Sequence, residues 1–255
     1  MPDYAFNLPR LLVEQSLSQD VLLDLDKGQS NYLGNVMRAR HGDEVLVFNG
    51  RDGEWLAQVQ ADRPEARRAK LSLALTRQTR PQPAADGPQL NYFFAPLKQA
   101  RQDYMVQKAV EMGVSRLCPV RTDHTQISRV NIERLVANIR EACEQCGVLR
   151  VPTVAPLVTL SQLVIGATPD AGTIIFCDER APVADPATAL SAIPRDRSVS
   201  VLIGPEGGFS DAERQTLLAL PNALAIAIGP RILRADTAAV AALAAVQMVW
   251  GDWRG

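Results

Sequence analysis

Apolar residues in the first part of the chain fall in short or alternating runs: Val21 to Leu25, Glu44 to Phe48, Trp55 to Val59 and Leu71 to Leu75. Gly42-Asp43, Asn49-Gly50 and Asp52-Gly53 punctuate them. That pattern predicts β-strands joined by turns, with a spacing that suits a small barrel over residues 1–76. Asn31 to Arg38 is an exception, since Leu33, Val36 and Met37 stand at helical spacing and predict a short helix. Arg77 to Gln89 then carries three prolines, one glycine and two alanines, with little to bury. A linker at 77–89 is the expectation, with a second domain over 90–255.

In that second part the period switches between two and about 3.6, predicting alternating strands and helices of an α/β domain. Strands are expected at Asn91 to Pro96, Val114 to Val120, Thr173 to Cys177, Ser198 to Ile203 and Leu224 to Ile228. A helix is expected from Gln102 to Met112, stopped by Gly113. A second starts at an Asn131 cap and ends at Gly147, with Ile132, Leu135, Ile139, Ala142, Cys143 and Cys146 on one face. Cys143 and Cys146 form a C-x-x-C, but no second ligand pair accompanies them, so packed thiols are expected rather than a metal or redox site.

Two stretches concentrate the chemistry. Val199 to Ile203 is a β-branched run that stops at Gly204-Pro205, passes Gly207-Gly208 and enters a helix start, with Ser210 and Glu213 spaced as a capping box. Ala225 to Ile228 repeats the plan: Gly229-Pro230 ends it, Arg231 to Asp236 is a loop, and an Ala-rich helix follows from Thr237. Glycines at strand ends let a backbone approach a ligand, and in an open α/β sheet ligands bind beyond the strands' carboxyl ends. Ordinary turn punctuation is the plainer alternative for either loop taken alone. No Lys-Ser or Lys-Thr follows the glycines and the dinucleotide spacing is absent, which argues against a phosphate cradle.

Composition narrows the class further. Across 255 residues, 47% are apolar and 22% charged, and the net charge is −1. These values describe a globular protein that is not basic overall. The sign is nevertheless uneven: between Arg63 and Arg80, six basic residues (Arg63, Arg67, Arg68, Lys70, Arg77, Arg80) face one acid, Glu65. Such a stripe can hold an RNA backbone. The longest apolar stretch, Thr237 to Trp250, is too short for a membrane span and no signal pattern opens the chain, so a cytoplasmic location is expected.

Leu202 to Ser210 (Leu-Ile-Gly-Pro-Glu-Gly-Gly-Phe-Ser) and Ile228 to Ala238 (Ile-Gly-Pro-Arg-Ile-Leu-Arg-Ala-Asp-Thr-Ala) resemble the signature loops of the bacterial small-subunit (16S) ribosomal RNA uridine-N3 methyltransferases. These belong to the SPOUT superfamily. Gln107 to Val114 and Glu141 to Gly147 are similar to the same family, and Tyr32 to Arg38 and Gly42 to Gly50 more loosely so. The resemblance implies a trefoil-knotted methyltransferase domain behind a PUA-like barrel. It implies S-adenosylmethionine as cofactor, no metal, ribosomal RNA in the small subunit as partner, and a homodimer. By the same likeness Leu202, Gly204, Glu206, Gly207, Gly208, Ile228, Gly229, Ile232, Leu233 and Thr237 would hold the cofactor.

Uridine N3 is mostly protonated at neutral pH, so a site acting there must stabilise an anion and take a proton. Arg234, or Arg231 beside it, is the candidate for the first task, and Glu206 or Asp236 for the second. Plainer roles stand beside these: Asp236 capping the last helix, Glu206 tying down its loop, Arg231 meeting phosphate. Arg10, Arg38, Arg67, Arg68, Lys98, Arg101, Arg150 and Arg231 are the candidate RNA contacts. The chain departs from the family where Val148 and Leu149 follow Gly147 in place of an Arg, and where Asp236 replaces a more usual Glu. His124 falls where relatives often carry Arg; a surface histidine and an RNA-facing one are both open. The rival functions are a non-catalytic RNA-binding or ribosome-assembly factor, and the same fold methylating another RNA such as a transfer RNA.

Overall fold

The computed structural model describes residues 7–62, 70–166, 172–181 and 185–254. They divide into two units, the first comprising residues 1–85 with 143–151, the second residues 86–142 with 152–255.

The first unit is built on a five-stranded sheet. Its strands are β1 (Arg10–Leu12), β2 (Leu22–Asp24), β3 (Glu44–Phe48), β4 (Glu54–Ala61) and β5 (Leu71–Arg80), in the order β1-β3-β4-β5-β2. The β1–β3 pair is parallel and the others antiparallel. Alternation does what the pattern promised: Leu71, Leu73 and Leu75 of β5 are buried, and every strand sends residues into one core. The expected helix near residue 31 begins earlier. Asp26 caps α1 (Lys27–Asn31) in a capping box with Gln29, and a π-helical turn, Tyr32–Val36, follows. Only Leu33 of that turn is buried, while Val36 and Met37 are exposed.

The expected linker starts too early, because β5 continues to Arg80. Glu54 holds it there. Its buried carboxylate accepts from Arg80 Nη2 at 2.6 Å, Thr79 Oγ1 at 2.9 Å and Arg10 Nε at 3.2 Å. Desolvation pushes the Glu54 pKa up, but the bonds from Arg80 and Thr79 and the charges of Arg80 and Arg10 outweigh it, and the net shift is downward. Arg80 also donates to the Gly147 carbonyl at 3.0 Å, and Leu12 N–H donates to Glu144 at 2.9 Å. Residues 143–151 are thereby part of this unit rather than of the domain that surrounds them in sequence.

The second unit is a parallel sheet with helices. Its strands are β6 (Leu90–Phe94), β7 (Arg116–Arg121), β8 (Thr153–Val154), β9 (Val158–Thr159), β10 (Thr173–Cys177), β11 (Val199–Ile203) and β12 (Ala223–Ile226). Their order is β12-β10-β11-β6-β7-β8, with β9 beside β7, and every pairing is parallel. A parallel sheet covered on both faces needs continuous apolar strands, and all five residues of β11 are buried.

The helices are α2 (Gln99–Glu111), α3 (Ile132–Cys146), α4 (Leu160–Gly166), α5 (Pro186–Ser191), α6 (Asp211–Leu218) and α7 (Ala235–Val249). Asn131 caps α3 as expected, its Oδ1 accepting the Arg134 N–H at 3.0 Å. Cys143 is buried, and desolvation pushes its thiol up to about 12. Cys146 is exposed, which corrects the expectation of two packed thiols: it lies in the last turn, past the buried stripe. From β12 at the sheet edge the chain returns through α7, which packs on α2, α5 and β11. Gln247 fastens it, donating to the Met112 carbonyl at 2.6 Å.

Asp103 of α2 ties that helix to α3. It accepts from Arg134 Nη2 and Asn138 Nδ2, both at 2.7 Å, and from Gln99 Nε2 at 2.8 Å. The Arg134 bonds lead in lowering its pKa to about 2, against a smaller desolvation effect. A depressed carboxylate contributes stability above the ordinary carboxylate pKa and loses it as pH falls through the folded value. Asp103→Asn is therefore expected to lower the urea midpoint by a constant amount from pH 8 to about 5. The gap should close between about pH 4 and pH 2, read by circular dichroism. In the first unit, Glu54→Ala strands the buried Arg10 and should cost about 3–5 kcal/mol in urea unfolding.

Candidate active site

Three parallel strands end side by side. Beyond the carboxyl ends of β10, β11 and β12 lies a cavity of about 270 Å³, walled by the segments Cys177 to Glu179, Ile203 to Phe209 and Ile226 to Ala238. That is where an open α/β sheet places a ligand. Each segment contributes for a local reason. Pro205 ends β11, and Gly208 then takes φ +68°, a left-handed turn that glycine adopts without strain. The α6 cap fixes the far end of this loop, with Ser210 Oγ accepting the Glu213 N–H at 3.2 Å and Glu213 accepting the Ser210 N–H at 3.0 Å.

The second loop mirrors the first. β12 stops at Ile226, two residues before the expected end at Ile228, and Ile228 instead walls the cavity. Gly229 takes φ +75°, and a Cβ there would meet nothing within 4 Å, so open space lies over it. Ala235 and Ala238 of α7 line the cavity with small side chains. Phe209 sits edge-on to the core ring of Phe176, with centroids 6.1 Å apart.

Of the expected cofactor residues, Gly204, Glu206, Gly207, Gly208, Ile228, Gly229, Ile232 and Leu233 line the cavity. Leu202 and Thr237 do not. Leu202 is fully buried in the sheet's core, because alternation along β11 turns it away, and Thr237 is an exposed residue of α7. Glu206 reaches Arg101 Nη1 at 3.1 Å, each side chain 39% exposed. Arg234 is exposed and occupies the N-cap of α7, between the cavity-lining Leu233 and Ala235. Asp236 lies in the first turn of α7 outside the lining, and its Oδ1 accepts the Thr237 N–H at 3.0 Å, the helix-start role weighed above.

The RNA candidates divide. Arg10 is buried against Glu54 and so turns inward. Arg67 and Arg68 lie outside the described residues, as does Arg63 of the basic stripe, whose Arg80 is likewise paired to Glu54. Arg38 and Lys98 are exposed, Arg150 is half-buried, Arg101 pairs with Glu206, and Arg231 is an exposed cavity residue.

Sequence reasoning missed the β10 wall. Cys177, Asp178 and Glu179 line the cavity, although only the strand before them was anticipated. The signal was a third apolar strand ending in a charged Asp-Glu-Arg turn. Asp178 is buried and clamped, its Oδ2 accepting from Arg214 Nε at 2.5 Å and its Oδ1 from the Arg180 N–H at 3.0 Å. Desolvation pushes the Cys177 thiol up to about 12, so it stays neutral and a poor nucleophile beside the cavity. His124 is also better placed than its sequence suggested. Its Nδ1 donates to the carbonyls of Gly207 and Gly208 at 3.0 and 3.1 Å, while its neighbour Asp123 accepts from Ser210 Oγ at 2.6 Å.

The cavity suits a small molecule with an apolar body and charged groups attached to it. Isoleucines, Phe209 and the two alanines offer the body its walls, and Asp178, Glu179, Glu206 and Arg231 offer charge. S-adenosylmethionine has that form.

Known proteins share this organisation. A family model described as an RNA methyltransferase domain matches residues 85–247, and one described as an RNA methyltransferase PUA domain matches residues 25–66. The ribosomal RNA small subunit methyltransferase E of Rickettsia conorii is 27% identical over 94% of this chain and 95% of its own. Its Bacillus subtilis namesake is 24% identical over 92% and 93%. The crystal structure of the Neisseria gonorrhoeae methyltransferase E bound to S-adenosyl methionine superposes with a TM-score of 0.81 at 25% identity, covering 96% of this chain and 99% of that one. A Legionella pneumophila methyltransferase structure in complex with the same cofactor gives 0.75 at 25% identity over 94% and 97%. The RNA methyltransferase match spans the whole parallel sheet and both glycine loops, and by it the chain belongs to the RNA methyltransferase family, with a PUA-like domain at its amino-terminal side.

Proposed function

We propose that the protein transfers a methyl group from S-adenosylmethionine to N3 of a uridine in small-subunit ribosomal RNA. The observation that carries this is the cavity between the two Gly-Pro loops at the ends of β11 and β12, inside the matched family region. The relatives named for small-subunit ribosomal RNA supply the substrate. When bound, the cofactor supplies an electrophilic methyl group; the protein's work is to bind, orient and shield it. The open backbone at Gly208 and Gly229 and the small Ala235 and Ala238 admit it, and the apolar walls exclude water.

Arg234 is the N-cap of α7, between the cavity-lining Leu233 and Ala235, and its permanently charged guanidinium would stabilise the anion that forms as N3 loses its proton. Glu206 is the nearer acceptor for that proton, since it lines the cavity and Asp236 does not. Its ion pair with Arg101 has to open first, and an RNA phosphate arriving at Arg101 would compete for that arginine. Lys98, Arg101 and Arg231 would hold RNA near the site, and Arg38 and Arg150 are the candidate RNA contacts of the first unit. N3 lies on the Watson-Crick edge, so the uridine must be unpaired or flipped.

A homodimer, a trefoil knot and action on the assembled subunit in the cytoplasm complete the proposal. The return of α7 across β11 onto α2 supports the threaded arrangement. Ile232, a cavity-lining isoleucine that is 90% exposed, supports a second subunit or the RNA covering it. Among the described residues no helix is long and apolar enough to cross a membrane.

The deciding experiment is tritium transfer from labelled S-adenosylmethionine to small ribosomal subunits from cells lacking the gene, with the nucleoside then identified by mass spectrometry. Labelled N3-methyluridine is expected. Label in a different nucleoside or RNA would replace the substrate, and absence of both transfer and cofactor binding would favour the non-catalytic factor. In the same assay Arg234→Ala should lower the transfer rate about 10²–10³-fold while calorimetric cofactor affinity changes little.

A further inference from the structure

Four charged side chains line the cavity, and three of them are already accounted for. Asp178 is neutralised by Arg214 and by the Arg180 N–H. Glu206 is paired with Arg101. Arg231 is the one cation in the lining, matched in sign to a carboxylate such as that of the cofactor's amino-acid end. Glu179 is left. Its carboxylate makes no hydrogen bond or ion pair among the described residues, and the adjacent Arg180, whose charge it feels, is bonded to Asp211 at 2.9 Å.

Its position is not accidental. The double clamp on Asp178 fixes the chain one residue before it, at the end of β10. From there Glu179 reaches the middle of the first glycine loop. A Cβ built on Gly208 would lie 3.7 and 4.0 Å from its two carboxylate oxygens, so they hang over a backbone that carries no side chain. The Glu179 carboxylate is thus a negative charge held at the cavity wall and open to a ligand.

Resting on the methyl-donor reading above, we propose that Glu179 is the residue by which this cavity distinguishes the charged methyl donor from its neutral product. A sulfonium has no hydrogen on sulfur to donate, so a full negative charge nearby favours it more than a hydrogen-bond acceptor does, whereas an ammonium is held well by backbone carbonyls. Transfer moves the methyl group from sulfur to the uridine N3, whose proton has gone to the acceptor. The carbon–sulfur bond breaks, its electron pair stays on sulfur, and the sulfonium becomes an uncharged thioether. The attraction to Glu179 ends with that bond, and the product is held less tightly than the donor.

The test is isothermal titration calorimetry of the full-length protein with S-adenosylmethionine and, separately, with S-adenosylhomocysteine. Both ligands share the adenosine and the amino-acid end and differ in the methyl group and the charge on sulfur. Glu179→Gln should weaken the donor about five- to tenfold and the product less than twofold, the modest size reflecting solvent screening at an exposed carboxylate. Glu179→Asp, which keeps the charge, should retain most of the preference, and the parent's preference should shrink between 50 mM and 500 mM salt. Equal weakening of both ligands would assign Glu179 to the amino-acid end and overturn the inference, as would an unchanged donor affinity in Glu179→Gln. Failure of the parent protein to bind either ligand would instead overturn the methyl-donor reading itself.

Discussion

Parallel registration of β10 between β11 and β12 is the constraint from which the site follows. Phe176 pairs with Leu202 on one side and with Ala225 on the other, so the three strands run level and end level. Strands that end level release three loops at one edge, and those loops wall a cavity without any of them needing a long excursion. The same registration explains the composition of the strands. Both faces of β11 are covered, so its residues serve the core, and chemistry is left to the few positions after each strand stops.

Charge around the cavity is arranged to hold shape as well as to meet a ligand. Asp123, Ser210 and Glu213 form one linked set, with the Asp123 N–H donating to Glu213 at 2.8 Å, and His124 carries that set onto the glycine carbonyls. Asp178 and Arg214 form a second set under the β10 turn. A glycine-rich loop left to itself would pay heavily in conformational freedom. Here its flexible residues lie between anchored ends, which gives a backbone that is open to a ligand yet held in place.

Much of this was legible in the sequence where the cause is local. The Gly204-Pro205 stop, the Ser210–Glu213 cap and the Asn131 cap depend on residues a few positions apart, and they stand where the pattern put them. The rest depends on partners far along the chain. Arg10 reads as a surface cation until Glu54, 44 residues later, draws it inside. Leu202 reads as part of a signature motif, but strand alternation sends it to the core. Asp178 and Glu179 follow a strand that was expected, but only that strand's place in the sheet makes them site residues. Strand order is a property of the whole fold, and no window of sequence contains it.

The grouping of residues 143–151 with the first unit bears on how such a chain can be divided or recombined. A gene fragment ending at Ala85 would encode all five strands of the first sheet, yet lack Glu144, Gly147 and Leu149, which receive hydrogen bonds from Leu12, Arg80 and Gln82. The amino-terminal unit is therefore not a transplantable module. Exchanging it between homologues by a single crossover would join one parent's strands to the other parent's 143–151 segment, so the two stretches are expected to be inherited together although 57 residues of the other unit, 86–142, separate them.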